Sequence, residues 1–196
     1  GKSDWQYRRT FELPAKVLES DRVLLRCEGL DTLAVITVNG HELGRADNMF
    51  RVWEFDAKPF LKPGENRIAV KFISPYPLME KRNQERPMFE WIGSHEPRGR
   101  AYVRKEPCSF GWDWGPVLAS CGVWRGIGIP AFNAARLLNF LVLQNHLANG
   151  KVRLDVDVEA ELVRAGNYQA RVAVRKAGRL VESLSLTVGC GNGKGQ

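Results

Sequence analysis

Leu33-Ala34-Val35-Ile36-Thr37-Val38-Asn39-Gly40-His41 reads as a strand running into a tight reversal. Its β-branched side chains fit a pleated surface, and Asn-Gly takes the positive φ angles that a type I′ hairpin turn demands. Tyr7–Leu13 and Arg22–Cys27 before it, and Met49–Phe55 and Arg67–Ile73 after it, repeat the strand chemistry. Lys62-Pro63-Gly64-Glu65-Asn66 separates the last two as a turn, because proline presets φ and glycine relieves strain. Within Arg67–Ile73, Ile68, Val70 and Phe72 fall on one face, as in a strand buried on one side.

The pattern lapses from Ser74 to Arg100, where prolines and charges surround Phe89 and Trp91, and a long loop is expected. Strand character returns at Ala101–Arg104 and Gly122–Ile129, and Pro130–Arg136 reads as a linker. Beyond it come Leu137–Gln144, Lys151–Leu162, Tyr168–Arg175 and Leu180–Val188. Val152, Leu154, Val156 and Val158 alternate with Arg153, Asp155, Asp157 and Glu159, an inside/outside code of period two. Four strands are too few for a sandwich of about seven. No helix shows convincing caps, and the tail from Gly189 is glycine-rich and polar. The expected architecture is all-β, with a sandwich over residues 1–132 and a partial second sandwich over 133–196.

Composition narrows the function. With 44% hydrophobic residues, six Trp and nine Phe, the 196-residue chain has material for a folded core. The net charge of +7 is scattered among acids rather than gathered on one face, which argues against nucleic acid as a partner. No apolar run approaches the roughly 20 residues that span a bilayer, so no membrane partner is expected. Cys27, Cys108, Cys121 and Cys190 form no CxxC pair, and His41, His95 and His146 lack ligand spacing, so no metal site is expected. Cys108 and Cys121 bracket a loop and can be drawn either as a disulfide or as reduced core residues, the low cysteine count favouring the latter. No start methionine, signal peptide or Asn-x-Ser/Thr acceptor is present.

Function is concentrated in Phe110-Gly111-Trp112-Asp113-Trp114-Gly115-Pro116. Two indoles beside one carboxylate suit a sugar, whose ring offers apolar C–H faces and a rim of hydroxyls. Glycine and proline on either side imply a turn that presents side chains rather than simply packing them.

Asp4-Trp5-Gln6-Tyr7-Arg8-Arg9-Thr10-Phe11, Gly29-Leu30-Asp31-Thr32-Leu33-Ala34 and Val38-Asn39-Gly40-His41-Glu42-Leu43-Gly44 resemble the non-catalytic N-terminal domain of glycoside hydrolase family 2. Arg104-Lys105, the stretch Cys108–Pro116 and Gly122-Val123-Trp124-Arg125 narrow the resemblance to its β-mannosidase branch. The resemblance covers roughly residues 4–135; the remainder matches in position only. It implies a galactose-binding-like jelly-roll, then an immunoglobulin-like sandwich, then a (β/α)8 barrel that carries both catalytic glutamates. The implied reaction removes terminal non-reducing β-mannose from mannosides and N-glycan-derived oligosaccharides. Configuration is retained, through two carboxyls about 5–5.5 Å apart. Carboxylates and water suffice for it, so no cofactor is implied. The family's leading strands and its barrel are absent from this sequence, and Glu65-Asn66 reverses the catalytic Asn-Glu motif. The chain therefore reads as an internal fragment, inactive by itself and completed by the barrel of its parent chain. A periplasmic, secreted or lysosomal setting is implied by the family alone.

Carried over by motif, Asp113 accepts hydrogen bonds from the terminal mannose and Trp112 walls the same subsite; the alternative is that both Trp residues pack in the core and Asp113 only caps the turn. Alternation turns Trp114 away from Trp112, into the core. Arg104 and Lys105 either line that opening or form a solvated strand end. Trp91 is a second sugar platform or, as the simpler reading, a cover over the sandwich. Trp5, Trp53 and Trp124 fall on strands and are expected in the core. The competing reading is a non-catalytic carbohydrate-binding module.

Overall fold

The computed structural model describes residues 2–90, 97–111 and 115–189. The chain divides into two compact units, Gly1–Ala131 and Phe132–Gln196. In the first, β1 (Trp5–Leu13), β2 (Arg22–Cys27), β3 (Leu30–Asp31), β4 (Leu33–Val38) and β5 (His41–Ala46) precede β6 (Trp53–Asp56) and β7 (Gly64–Ile73). Helix α1 (Tyr76–Glu85) follows, then β8 (Gly122–Val123) and β9 (Ile127–Gly128), with β10 (Ala131–Phe132) at the junction of the units.

One sheet runs β1-β7-β4-β5, and β2 lies between β6 and β9 in another, all antiparallel. Ile36, Val38, Val70 and Phe72 from the first sheet meet Val23, Leu25 and Cys27 from the second in one apolar core. Each such side chain, fully removed from water, contributes about 1.5–3 kcal/mol. The Asn-Gly turn forms as its chemistry requires: Asn39 has φ 49° and Gly40 φ 88°. Asn66, wholly buried, anchors it by accepting from Asn39 Nδ2 at 2.8 Å.

Several expectations give way. Tyr76–Glu85 is an α-helix where a loop was expected. Pro75 and Pro77 suit a first helical turn, since proline's fixed φ is already helical and its missing N–H has no partner there. Only Met79 is buried on this helix, so no apolar stripe betrays it in the sequence. The strand expected over Met49–Phe55 is confined to Trp53–Asp56, because the Asn48 carboxamide accepts from the Phe50 amide at 2.9 Å and turns the chain first. Ala101–Arg104 is a 3-10 turn over Arg100–Tyr102, followed by a lone parallel bridge between Asn48 and Arg104. The strand expected over Gly122–Ile129 is broken in two, β8 pairing with β3 and β9 with β2.

The second unit holds β11 (Ala135–His146), β12 (Val152–Leu162), β13 (Asn167–Lys176) and β14 (Arg179–Gly189), paired as two antiparallel hairpins. Apolar side chains including Phe140, Val142, Val156, Val158 and Val172 line a cleft of about 630 Å³ within it. The alternation read from β12 sets which side chains face that cleft. Val156 and Val158 are half-buried, whereas Val152 and Leu154 stay exposed.

Candidate functional site

The two ends of the segment 107–121 meet over a buried polar base within the first unit. Its ingoing leg begins at Lys105 and Glu106 and passes through a 3-10 turn, Pro107–Phe110; its outgoing leg ends at Ser120 and Cys121. The Lys105 side chain is wholly buried. Its ammonium donates to Asp31 Oδ2, to Glu106 Oε1 at 3.1 Å and to Ser120 Oγ at 3.2 Å. Ser120 Oγ donates in turn to Asp31 Oδ2 at 3.0 Å, and the Thr32 hydroxyl to Asp31 Oδ1. The Ser109 hydroxyl donates to Glu106 Oε1. Burial by itself would raise the Glu106 carboxyl; the Ser109 hydroxyl, a backbone N–H and Lys105 together outweigh it and hold the group below its ordinary value. Glu106 Oε2 is buried and has no hydrogen-bond partner among the described residues.

An apolar plug reinforces this base. Phe110 and Ala119, one from each leg, pack with Met79 and Val103, and Tyr76 meets the Phe110 ring edge-on at 6.4 Å. Met49 ties in from a third direction: its amide donates to the Arg104 carbonyl at 3.0 Å, and its sulfur accepts from the Glu106 amide at 3.2 Å. Beside the outgoing leg a depression of about 670 Å³ is lined by Lys2, Tyr76, Pro97, Leu118 and Ser120 among others. The base of the other long segment is closed by Glu90, whose carboxylate accepts from the Gly99 amide at 2.8 Å and the Ala101 amide at 2.9 Å.

Trp112 and Asp113, together with Trp114 and Trp91, lie outside the described residues. Arg104 is exposed and engages Met49 through its backbone. Lys105 faces no opening: with two carboxylates to neutralise, it is drawn inside the base. Trp53 is half-buried against the core, but Trp5 and Trp124, expected in the core, are 57% and 43% exposed. Trp5 sits on edge strand β1, with no further strand beside it among the described residues. Trp124 lies across Gly29, donates Nε1–H to the Met49 carbonyl at 3.2 Å, and carries the Arg125 guanidinium 4.2 Å above its ring.

Cys27, Cys108 and Cys121 are free thiols. Only Cys27 is a core residue, burial pushing its thiol up to about 12. Cys121 is half-buried and also raised, chiefly by burial, whereas Cys108 is exposed. Cys190 lies outside the described residues. Among the described residues no group of three or more His, Cys, Asp or Glu side chains is placed to hold a metal ion. No described helix is long and apolar enough to cross a membrane.

Asp31, Ser109 and Ser120 were not singled out from the sequence. The available signal was the Lys105-Glu106 doublet opening a turn, and nothing local linked it to an aspartate 74 positions earlier.

Comparison with known proteins places this geometry. The model of a family described as glycosyl hydrolase 2 galactose-binding domain-like matches residues 1–125. The β-mannosidase of Capra hircus is 31% identical over 181 residues, covering 87% of this chain and 20% of that protein. β-Mannosidase B of Thermothelomyces thermophilus is 30% identical over 186 residues, covering 95% of this chain and 20% of its own. Among solved structures, the β-D-mannosidase of Dictyoglomus thermophilum superposes with a TM-score of 0.82 at 32% identity, covering 95% of this chain and 22% of that one. The chain thus spans about a fifth of the length of the curated relatives it matches.

Proposed function

Because the chain belongs to the galactose-binding domain-like family of glycosyl hydrolase 2, we propose that it is the substrate-recognising N-terminal part of an exo-acting β-mannosidase. The observation that carries this reading is the extent of agreement with β-mannosidases, which runs well past the family domain at residue 125 and covers 87% of the chain.

In this reading the parent protein removes terminal non-reducing β-D-mannose from β-mannosides, including oligosaccharides derived from N-glycans. It works by retention, with two carboxyls supplied by a catalytic barrel of the same parent chain. Trp112 and Asp113 close the mannose pocket from this side. Asp113 accepts hydrogen bonds from hydroxyls at the C4 or C6 end of the sugar, an interaction with a charged acceptor contributing about 1.5–3 kcal/mol. Exo-action follows, since a substituted hydroxyl leaves that carboxylate without a donor. Arg104, exposed one residue before the buried ammonium, is a candidate contact at the rim, and Trp91 a candidate platform.

The test is hydrolysis of an aryl β-mannoside by the full-length protein. Asp113→Ala is expected to lower kcat/KM by about tenfold to a hundredfold with little change in melting temperature. Parallel loss of both would mark Asp113 as structural. The present chain by itself is expected to release no aryl group, since the proposed mechanism draws both reacting carboxyls from the barrel. Saturable binding of mannose to it at millimolar concentration would instead favour a free-standing carbohydrate-binding module.

A further inference from the structure

We propose that Lys105 is the positioning residue of the 107–121 segment, fixing the separation of its two legs; the functional part of the proposal rests on reading that segment as sugar-contacting. An ammonium carries three N–H donors. Those of Lys105 meet three acceptors from three places in the chain: Asp31 on β3, Glu106 on the ingoing leg and Ser120 on the outgoing leg. Asp31 lies two residues before β4, whose pairing with β7 starts at Leu33–Ile73 and does not pass through either leg; β3 itself pairs with β8, the continuation of the outgoing leg. The carboxylate is therefore a fixed post, and the ammonium ties both legs to it.

The two hydroxyls extend the grip. Ser120 Oγ accepts from Lys105 and donates to Asp31, closing a triangle on the outgoing side. Ser109, three residues before Trp112, donates to the Glu106 oxygen that also faces Lys105, carrying the hold further along the ingoing side.

A serine hydroxyl 3.2 Å from a lysine also suggests a nucleophile with its base. The geometry assigns the opposite role, since this nitrogen is already engaged with three acceptors, two of them carboxylates. A plain structural ion pair would need one carboxylate. This base holds two, and it leaves Glu106 Oε2 buried without a partner among the described residues. One carboxylate belongs to the ingoing leg and the Ser120 hydroxyl to the outgoing one, so a single ammonium grips both.

The experiment compares wild type with Lys105→Met, Ser109→Ala and Ser109→Thr in the full-length protein. Amide hydrogen exchange is followed over 105–121 and over the Asn39–Gly40 hairpin, and aryl β-mannoside kinetics are measured per folded molecule. Lys105→Met is expected to speed exchange over 105–121 while the hairpin is unchanged, and to lower kcat/KM about a hundredfold, the scale of a misplaced contact. Ser109→Ala, a milder change that keeps the ion pair, is expected to raise KM severalfold at unchanged melting temperature, and Ser109→Thr to restore it. Unchanged exchange over 105–121 in both Lys105→Met and Ser109→Ala overturns the proposal. So does faster exchange accompanied by unaltered kcat and KM. If Lys105→Met does not fold, Ser109→Ala and its rescue decide by the same criteria. If wild type hydrolyses no β-mannoside, the functional reading falls, and exchange alone decides whether Lys105 holds the legs.

Discussion

At its two ends β4 is fastened in opposite ways: past Val38 by the amides of Asn39 and Asn66, ahead of Leu33 by the charges of Asp31 and Lys105. In the neutral latch Asn66 fills all four of its hydrogen-bonding positions. It accepts from Asn39 Nδ2 and the Lys62 amide, and donates to the carbonyls of Lys62 and Gly64. Asn39 Oδ1 accepts from the Arg67 amide at 2.9 Å, so two turns distant in sequence lock together. The charged clamp instead sets one ammonium against two carboxylates, and Glu106 Oε2 has no hydrogen-bond partner among the described residues. A neutral joint sits where the chain only reverses; a charged one joins the two legs of the segment for which we propose binding.

The sharpest way to break this contrast is Lys105→Met. Without the ammonium, Asp31, only 4% exposed, is left as a buried charge facing a second carboxylate. Removing one partner of such a pair costs about 3–5 kcal/mol. Chemical denaturation should show a loss in that range. A loss under about 1 kcal/mol would mean that water reaches Asp31 and that the clamp resembles a surface pair. Asn66→Ala comes next: it strands the Lys62 amide and one N–H of the Asn39 carboxamide, which keeps the Phe60 carbonyl and the Arg67 amide, for about 1–3 kcal/mol. Its damage should stay local to 39–40 and 60–67 by hydrogen exchange. Faster exchange over 105–121 as well would show that the two ends are coupled through β4.

The same contrast explains what the sequence revealed. The latch end is written in adjacent letters: Asn39-Gly40 and Pro63-Gly64 have turn chemistry of their own, and Ile68, Val70 and Phe72 announce their face without reference to anything distant. The clamp end is written in residues 74 and 89 positions apart, and no local preference joins Asp31 to Lys105 or Ser120. Lys105 was misplaced for that reason: beside Arg104 it looks solvated, and only the packed fold supplies its carboxylates. Helix α1 escaped notice because it buries a single residue, leaving periodicity nothing to show. Trp5 and Trp124 misled in the other direction. For Trp5, strand position predicts a face, but the burial of that face depends on what lies beyond it, and at edge strand β1 the described chain places nothing beyond; Trp124 falls between β8 and β9, off both strands.

Two glycines with similar φ compare the ends on a finer scale. Gly40 has φ 88° and open space around a would-be Cβ; Gly111 has φ 92°, and its Cβ would stand 2.8 Å from Val117 Cγ2. Gly40→Ala therefore carries backbone strain alone, about 1–2 kcal/mol for a left-handed residue. Gly111, with ψ 171°, lies in a region essentially reserved for glycine, so Gly111→Ala carries the larger strain and must also displace the Val117 side chain. Denaturation midpoints should rank Gly111→Ala below Gly40→Ala. The reverse order would mean that Val117 yields freely and the legs are loosely held.

The smallest expected effect is that of acid on the clamp. Glu106 is held below its usual value of 4.5 in the folded chain despite the opposing pull of burial. A carboxyl depressed by folding adds stability that is fully present above its unfolded value and is lost as pH falls through the folded one. Protection of the Ser109 and Gly111 amides, which close the 3-10 turn onto the carbonyls of Glu106 and Cys108, should therefore decline as pH drops below about 4.5. The Lys62 and Arg67 amides are the control, because the oxygens they donate to belong to Asn66 and Asn39 and do not titrate. The one depressed carboxyl beside that hairpin, Glu42, is held down by its exposed pairing with Arg45 and lies outside the latch. Once intrinsic exchange rates are divided out, protection should fall at the clamp while the latch stays level. Equal decline at both ends would trace acid sensitivity to the sandwich as a whole, and Glu106→Gln removes the difference if that carboxylate is its source.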